Sequence, residues 1–242
     1  MRVCIRLPRP RRLIPLLCCS DWESGVSVLP WNAADGTIGD VCDAPQHSGQ
    51  GPHPLRQSIP HPHGIHGDPL TDIVYAMDLG NDNVVQYTLD TDTGKLTHLS
   101  DVYMGEESGP RGIVFHPSLR IAYVNCELGG TVVACAIDDA TGLSPTQTVK
   151  VYPADFVGDD HPDNFGKASF WTAEALLSKD ARKFFTFNVF ILHGLYVTHG
   201  TRFCAPGFLY TICRIHHSIS ILPVKEDGSL DEGAMTRFEL LP

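Results

Sequence analysis

The chain has 242 residues, of which 43% are hydrophobic and 19% charged, a composition that suits a globular domain with a sizeable core. Its formal net charge is −10, from 18 basic and 28 acidic residues, which argues against a nucleic-acid partner because phosphate neutralisation needs clustered Lys and Arg. No apolar run reaches the roughly 20 residues of a membrane-spanning helix, so we expect no membrane partner.

Residues 1–24 differ from the rest of the chain. Basic residues crowd the first twelve positions, and the apolar stretch 13–19 follows them, in the outline of a short signal peptide that Pro15 interrupts. Residues 1–20 do not resemble a strand pair, and we interpret 1–24 as an atypical segment with an artefactual start. Three cysteines fall in the regular part of the chain, an odd number without metal-ligand spacing (Cys42, Cys126 and Cys135). Reduced thiols in a cytoplasmic protein are therefore expected, with secretion as the alternative.

From residue 25 onward the chain repeats a pattern of short strands and Gly turns. Tyr75 stands nine positions before Val84, which stands ten before Gly94, and the same spacings run from Tyr123 to Val132 and Gly142. The second half of the pattern recurs from Val26 to Gly36 and near Ile219 to Gly228. Apolar and polar residues alternate within each copy, as in half-buried strands joined by hairpins. The closing glycines suit turns that need a positive φ.

A period of about 40 to 60 residues made of strands and Gly turns is typical of a β-propeller with one four-stranded blade per repeat. The sequence therefore predicts an all-β fold, a partial β-propeller of about four blades over residues 25–242. The interval between the last two closing glycines, Gly142 and Gly228, is too long for one repeat. Residues 179–185 copy the opening of a blade, yet Tyr210 is the residue that stands nine before Ile219. We interpret residues 186–209 as a non-repeat insertion.

Histidine and arginine interrupt the strand pattern at Arg56 and at the pair His61 and His63. Two positions apart on an extended strand, the histidines would face the same side. Three interpretations are open: a metal site with His66 or Asp68 as third ligand, a structural pair bonded to loop carbonyls, or a substrate-binding or acid–base role, since imidazole titrates near neutrality.

Charged residues also follow the inner strands of successive repeats. Asp78, Glu127 and Arg214 stand at corners that we take to be equivalent, and Arg111 lies in a Gly-Pro-Arg turn before the strand at Ile113. Charge that varies from blade to blade at one corner suits a binding site at the mouth of a channel. For Asp78 the simpler interpretation is a turn cap.

Together these residues resemble a known family. The quoted elements are Arg56-Gln57 with His61-Pro62-His63, Asp78-Leu79-Gly80-Asn81-Asp82, Gly109-Pro110-Arg111, and Asn125-Cys126-Glu127-Leu128. They are similar to the seven-bladed lactonase family, which contains bacterial 6-phosphogluconolactonase and the fungal 3-carboxy-cis,cis-muconate lactonizing enzyme. The resemblance covers about residues 25–230, apart from the insertion. The chain departs from the family pattern at Gly112 and around Arg214.

The resemblance implies a site with His63, Arg111, Glu127 and Arg214 as catalytic residues and His61 and Arg56 as substrate-binding residues. Arginine forks would hold phosphate or carboxylate groups, and His63 and Glu127 would handle protons. It implies no metal and no cofactor. The partner would be a small lactone or carboxylate, and the oligomeric state stays open.

We therefore expect a 6-phosphogluconolactonase-like hydrolase of a sugar lactone. The alternatives are a carboxymuconate cyclase, which is a cycloisomerase, and a non-catalytic scaffold or inactive fragment. Convergence of His63, Arg111 and Glu127 on one site would favour an enzyme.

Overall fold

Short antiparallel strands make up most of the described part of the chain. The structure is a computed structural model that describes residues 2–4, 14–20, 24–32, 34–156, 172–177, 188–192, 195–199, 208–213 and 218–239. Within these ranges there are seventeen strands, together with 3₁₀ turns at Leu79–Asn81 and Glu232–Ala234. The strands form four successive sheets and one separate hairpin.

Blade 1 contains β1 (Arg2–Cys4), β2 (Ile14–Ser20) and β3 (Gly25–Trp31), hydrogen-bonded in that order. Residues 38–46 lie against β3 through three isolated bridges and complete the blade on its outer side. The expectation that residues 1–20 do not form a strand pair is wrong, because β1 and β2 pair in antiparallel fashion and β2 pairs with β3 along its whole length.

Blades 2 and 3 are regular four-stranded meanders. Blade 2 contains β4 (Pro62–Gly67), β5 (Ile73–Asp78), β6 (Asn83–Asp90) and β7 (Lys95–Tyr103). Blade 3 contains β8 (Pro110–Phe115), β9 (Ile121–Cys126), β10 (Thr131–Asp138) and β11 (Gly142–Lys150). The first three strands of the two blades start 48 positions apart, for example β5 and β9, as the sequence pattern predicts, and β7 and β11 start 47 positions apart.

Blade 4 is interrupted in sequence but continuous in space. Its strands are β12 (Thr172–Leu177), β15 (Phe208–Cys213), β16 (Ser218–Pro223) and β17 (Thr236–Glu239), and β12 pairs directly with β15. Between them in sequence, β13 (Asn188–Leu192) and β14 (Leu195–His199) form a two-stranded sheet of their own. The repeated opening at residues 179–185 lies outside the described residues, and the bounds of the insertion stay a prediction.

Both faces of the inner strands of blades 2 and 3 are buried because each of these two blades packs between two neighbours. On β5, Val74 and Ala76 join the apolar cluster shared with blade 1, whereas Tyr75 and Met77 join the cluster shared with blade 3. The pattern repeats on β9, where Tyr123 packs toward blade 4. Alternate residues of a strand point to opposite faces, so the period of two supplies both interfaces.

Glutamine side chains also link consecutive blades, because each bonds the backbone near the outer turn of the next blade. The amide of Gln86 accepts from Leu143 N at 2.8 Å and donates to Thr141 O at 3.1 Å. Gln147 bonds the N–H and the carbonyl of Leu230 in blade 4 in the same way. The closing glycines of these turns have positive φ angles, as predicted: 77° at Gly36, 74° at Gly94, 80° at Gly142 and 81° at Gly228. Four stacked blades of this kind confirm the predicted partial β-propeller.

Candidate functional site

His63 and Arg111 occupy the same place in successive blades. On β4, Pro62 faces Asp78 and Gly64 faces Met77, so His63 is the extra residue of a β-bulge. On β8, Pro110 faces Cys126 and Gly112 faces Asn125, which makes Arg111 the extra residue of an identical bulge. Bulges re-aim side chains and often lie beside active sites.

The two innermost strands approach each other closely at this point. A Cβ placed on Gly64 would lie 2.6 Å from the carbonyl oxygen of Arg111. Only glycine therefore allows β4 and β8 to bring their bulges together, and the neighbouring His63 and Arg111 belong to one region of the molecule.

Glu127 lies at the end of β9 and is 1% exposed. Its N–H donates to Gly109 O at 2.7 Å, and its carbonyl accepts from Thr172 N at 3.1 Å in blade 4. Its carboxylate pairs with two arginines: Arg111 Nε lies 2.6 Å from Oε2, and Arg56 Nη2 lies 3.0 Å from Oε1. We call Arg56, Arg111 and Glu127 the ion triad. Three of the predicted site residues thus meet at one point.

Arg56 reaches the ion triad from the long connection between β3 and β4. Its N–H donates to His53 Nδ1 at 3.2 Å, and the adjacent Gln57 is fully buried. The side-chain amide of Gln57 donates to Leu79 O at 2.9 Å and to Asp82 Oδ1 at 2.7 Å, and its Oε1 accepts from His53 N at 3.0 Å. Sequence reasoning assigned no role to Gln57 or Asp82, although both stand inside the quoted motifs.

Asp78 is a cap, as interpreted from the sequence. Its Oδ1 accepts from the N–H groups of His61, Gly80 and Asn81, and its Oδ2 lies 2.7 Å from His47 Nδ1. This carboxylate holds the chain that enters β4.

The supposed equivalence of Asp78 and Glu127 is wrong by one residue. In the strand register Asp78 corresponds to Cys126, and Glu127 corresponds to Leu79.

The two histidines do not share a regular strand. His61 precedes β4 and its side chain is fully buried, while His63 sits in the bulge and is half-buried. The bulge breaks the period of two, so the expectation that both face the same side loses its basis.

The ion triad combines two guanidinium groups and one carboxylate beside the bulges, so the formal charges of its three side chains sum to +1. Burial raises the pKa of Asp82 above the usual aspartate value, although four hydrogen bonds to its carboxylate act in the opposite direction. Two adjacent guanidinium groups suit a phosphate or carboxylate group of a ligand, because their planar forks bond such groups in pairs.

Arg214, the remaining predicted site residue, lies outside the described residues. Among those that the structure does describe, no group of three or more His, Cys, Asp or Glu side chains could hold a metal ion. The same ranges contain no helix long and apolar enough to cross a membrane.

Comparison with protein families gives a match over most of the chain. Residues 16–189 match the family described as "Lactonase, 7-bladed beta-propeller". Among curated proteins, the 6-phosphogluconolactonase of Bacillus subtilis is 36% identical over 139 residues, which are 57% of this chain and 39% of that protein. The 6-phosphogluconolactonase of Serratia proteamaculans is 28% identical over 188 residues, or 76% of this chain and 46% of that one. The chain spans less than half the length of these relatives.

Solved structures show the same architecture. A protein from Lactobacillus plantarum superimposes with a TM-score of 0.69 and 26% identity, covering 93% of this chain and 54% of that one. A periplasmic gluconolactonase from Pseudomonas aeruginosa has a TM-score of 0.62 at 23% identity, over 94% and 67% of the two chains. The second likeness concerns the fold alone.

Proposed function

The chain belongs to the seven-bladed β-propeller lactonase family, and from that membership we propose that it hydrolyses a sugar lactone of the 6-phosphogluconolactone type. The relatives from B. subtilis and S. proteamaculans carry the name 6-phosphogluconolactonase, which supports this substrate class.

The ion triad is the observation that carries the proposal. Arg56 and Arg111 share one carboxylate, which holds their guanidinium groups in fixed positions. Preorganised cations of this kind stabilise charge that develops in a transition state, and they bind anionic groups through paired N–H donors.

Lactone hydrolysis needs a water oxygen to attack the carbonyl carbon while the ring C–O bond breaks. In our scheme His63 accepts the proton from water and returns it to the leaving ring oxygen. Arg111, on the adjacent bulge, stabilises the carbonyl oxygen as it becomes negative. His61 is fully buried and has no surface to present to a substrate, which favours His63 as the base.

Glu127 has both carboxylate oxygens engaged by guanidinium groups. We therefore give it the role of holding the two arginines in place, and not the proton-handling role that the family resemblance implies. Arg214 stays a proposed second anion-binding residue.

The proposal is tested by assaying the full chain with 6-phosphogluconolactone, with unphosphorylated gluconolactone and with 3-carboxy-cis,cis-muconate. We expect hydrolysis of the phosphorylated lactone above its spontaneous rate. Cyclisation of the muconate in its place would favour the cyclase, and no turnover of any substrate would favour the scaffold.

A matched pair of variants links activity to the ion triad. Arg56→Met should weaken turnover, whereas Lys95→Met should not, because Lys95 pairs with Asp43 at 3.5 Å on an exposed outer strand. Equal effects of the two substitutions would contradict the assignment.

A further inference from the structure

Asp82 is a buried carboxylate that bonds residues close in sequence to Arg56 and Arg111. It lies in the turn between β5 and β6, has a left-handed backbone with φ of 58°, and is 2% exposed. Its Oδ1 accepts from Gln57 Nε2 at 2.7 Å, Gly109 N at 2.8 Å and Ser108 Oγ at 3.2 Å. Its Oδ2 accepts from Glu107 N at 2.8 Å.

Each of these bonds leads to a member of the ion triad. Gln57 follows Arg56 directly in the chain. Gly109 stands two residues before Arg111, and its carbonyl accepts from the N–H of Glu127 at 2.7 Å. One carboxylate thus bonds two of the chain segments that present the triad, the connection before β4 and the entry to β8. It reaches the third segment, which follows β9, through the bond between Gly109 and Glu127.

We propose that Asp82 is a positioning residue that sets the spacing of Arg56, Arg111 and Glu127, and thereby the geometry of the anion site. The catalytic part of this inference rests on the proposed lactonase function. The positioning part rests only on the hydrogen bonds to Asp82.

The four donors require a carboxylate at this position. Asparagine has one acceptor oxygen and one NH₂ group, so it would direct its own donors either at Glu107 N or at the three donors around Oδ1. Either orientation sets donor against donor, and the segments that carry the arginines must move apart. A shift of about 1 Å at a catalytic group can cost about 100-fold in rate.

Asp68→Asn provides the matched control for Asp82→Asn. Asp68 is also a fully buried aspartate, and it accepts from Leu70 N, Tyr75 Oη and both terminal nitrogens of Arg120. It lies at the opposite end of the β4–β5 hairpin, about 20 Å along the strands. It should share the general cost of losing a buried carboxylate but leave the ion triad unchanged.

The test measures, in the full chain, the affinity for inorganic phosphate by titration calorimetry and the NMR resonances of the arginine side-chain Nε–H groups. Asp82→Asn should weaken phosphate binding about tenfold, the scale of one charge-assisted hydrogen bond, and should shift the Arg56 and Arg111 resonances. Lactone turnover should fall about 100-fold in kcat with a smaller change in KM. Asp68→Asn should change none of these values by more than about twofold.

A milder variant serves if Asp82→Asn does not fold. Ser108→Ala removes one donor to Oδ1 and should move the Arg111 resonance while leaving the Arg56 resonance in place. Wild-type-like resonances in both variants, or equal shifts in Asp68→Asn, would overturn the inference. A wild-type chain that hydrolyses no lactone would refute the proposed function only, since the arginine resonances still report the positioning.

Discussion

Glu127→Gln tests whether the carboxylate is what keeps two arginines together. The substitution preserves the size of the side chain but removes its negative charge. Arg111, with a side chain 9% exposed, and Arg56, at 19%, would then lie close together as cations without the Glu127 carboxylate charge between them. The net charge of the triad would rise from one to two positive charges.

The expected loss of stability follows from this burial. Removing one partner of a buried ion pair costs about 3–5 kcal/mol, whereas a fully exposed pair is worth about 0–1 kcal/mol. Both guanidinium groups keep some contact with water, so we expect the lower end of the first range, about 3 kcal/mol. Domains are stable by only about 5–15 kcal/mol, and a loss of that size is easily measured.

Urea unfolding of both proteins gives the free energy of unfolding, provided that the slope with denaturant is the same. A double-mutant cycle then identifies the cause. Adding Arg56→Met to Glu127→Gln removes one of the two neighbouring cations and should restore about 1 kcal/mol. Phosphate should stabilise the Glu127→Gln variant more than the wild type, since an anion supplies the missing charge. A loss below about 1 kcal/mol, with no coupling in the cycle, would refute the reasoning.

Two further predictions concern other parts of blades 2 and 3. Gly64→Ala should lower the free energy of unfolding by about 1–3 kcal/mol and disturb Arg111, because the added methyl group meets the Arg111 carbonyl. Gly112→Ala at the equivalent position places its methyl group in open space, so its free energy of unfolding in urea should stay within about 1 kcal/mol of the wild type. Equal costs would contradict the close approach of the two strands. Burial alone raises the pKa of Asp68, but hydrogen bonds and the charge of Arg120 outweigh it and hold that pKa below the usual 3.8. The ion pair therefore contributes stability above pH 3.8 and loses it as the pH falls through the lowered value. Asp68→Asn should consequently show a shallower fall in unfolding free energy below about pH 4, and parallel acid curves would show that the pair does not titrate in this way.

The sequence by itself determined the fold class and the blade positions. Alternating apolar residues, one glycine per outer turn and the 48-residue offset between Tyr75 and Tyr123 are local or periodic features. Turn glycines reflect the need for a positive φ, and apolar alternation reflects the two faces of a strand. These features can therefore be recognised in the sequence without knowing which blades are in contact. The pairing of β1 with β2 and of β2 with β3 lacked such a pattern, and only tertiary contact decided it.

The sequence predicted the individual residues of the candidate site, but not the contacts that they make with one another. Arg56, Arg111 and Glu127 were each identified from short motifs, yet nothing in their spacing shows that one carboxylate joins both arginines. The bulge of β4 that breaks the alternation between His61 and His63 depends on strand register, which arises from pairing between strands. Asp82 became visible only in three dimensions, because its four donors come from segments 25 to 27 residues away and meet only when the blades pack together.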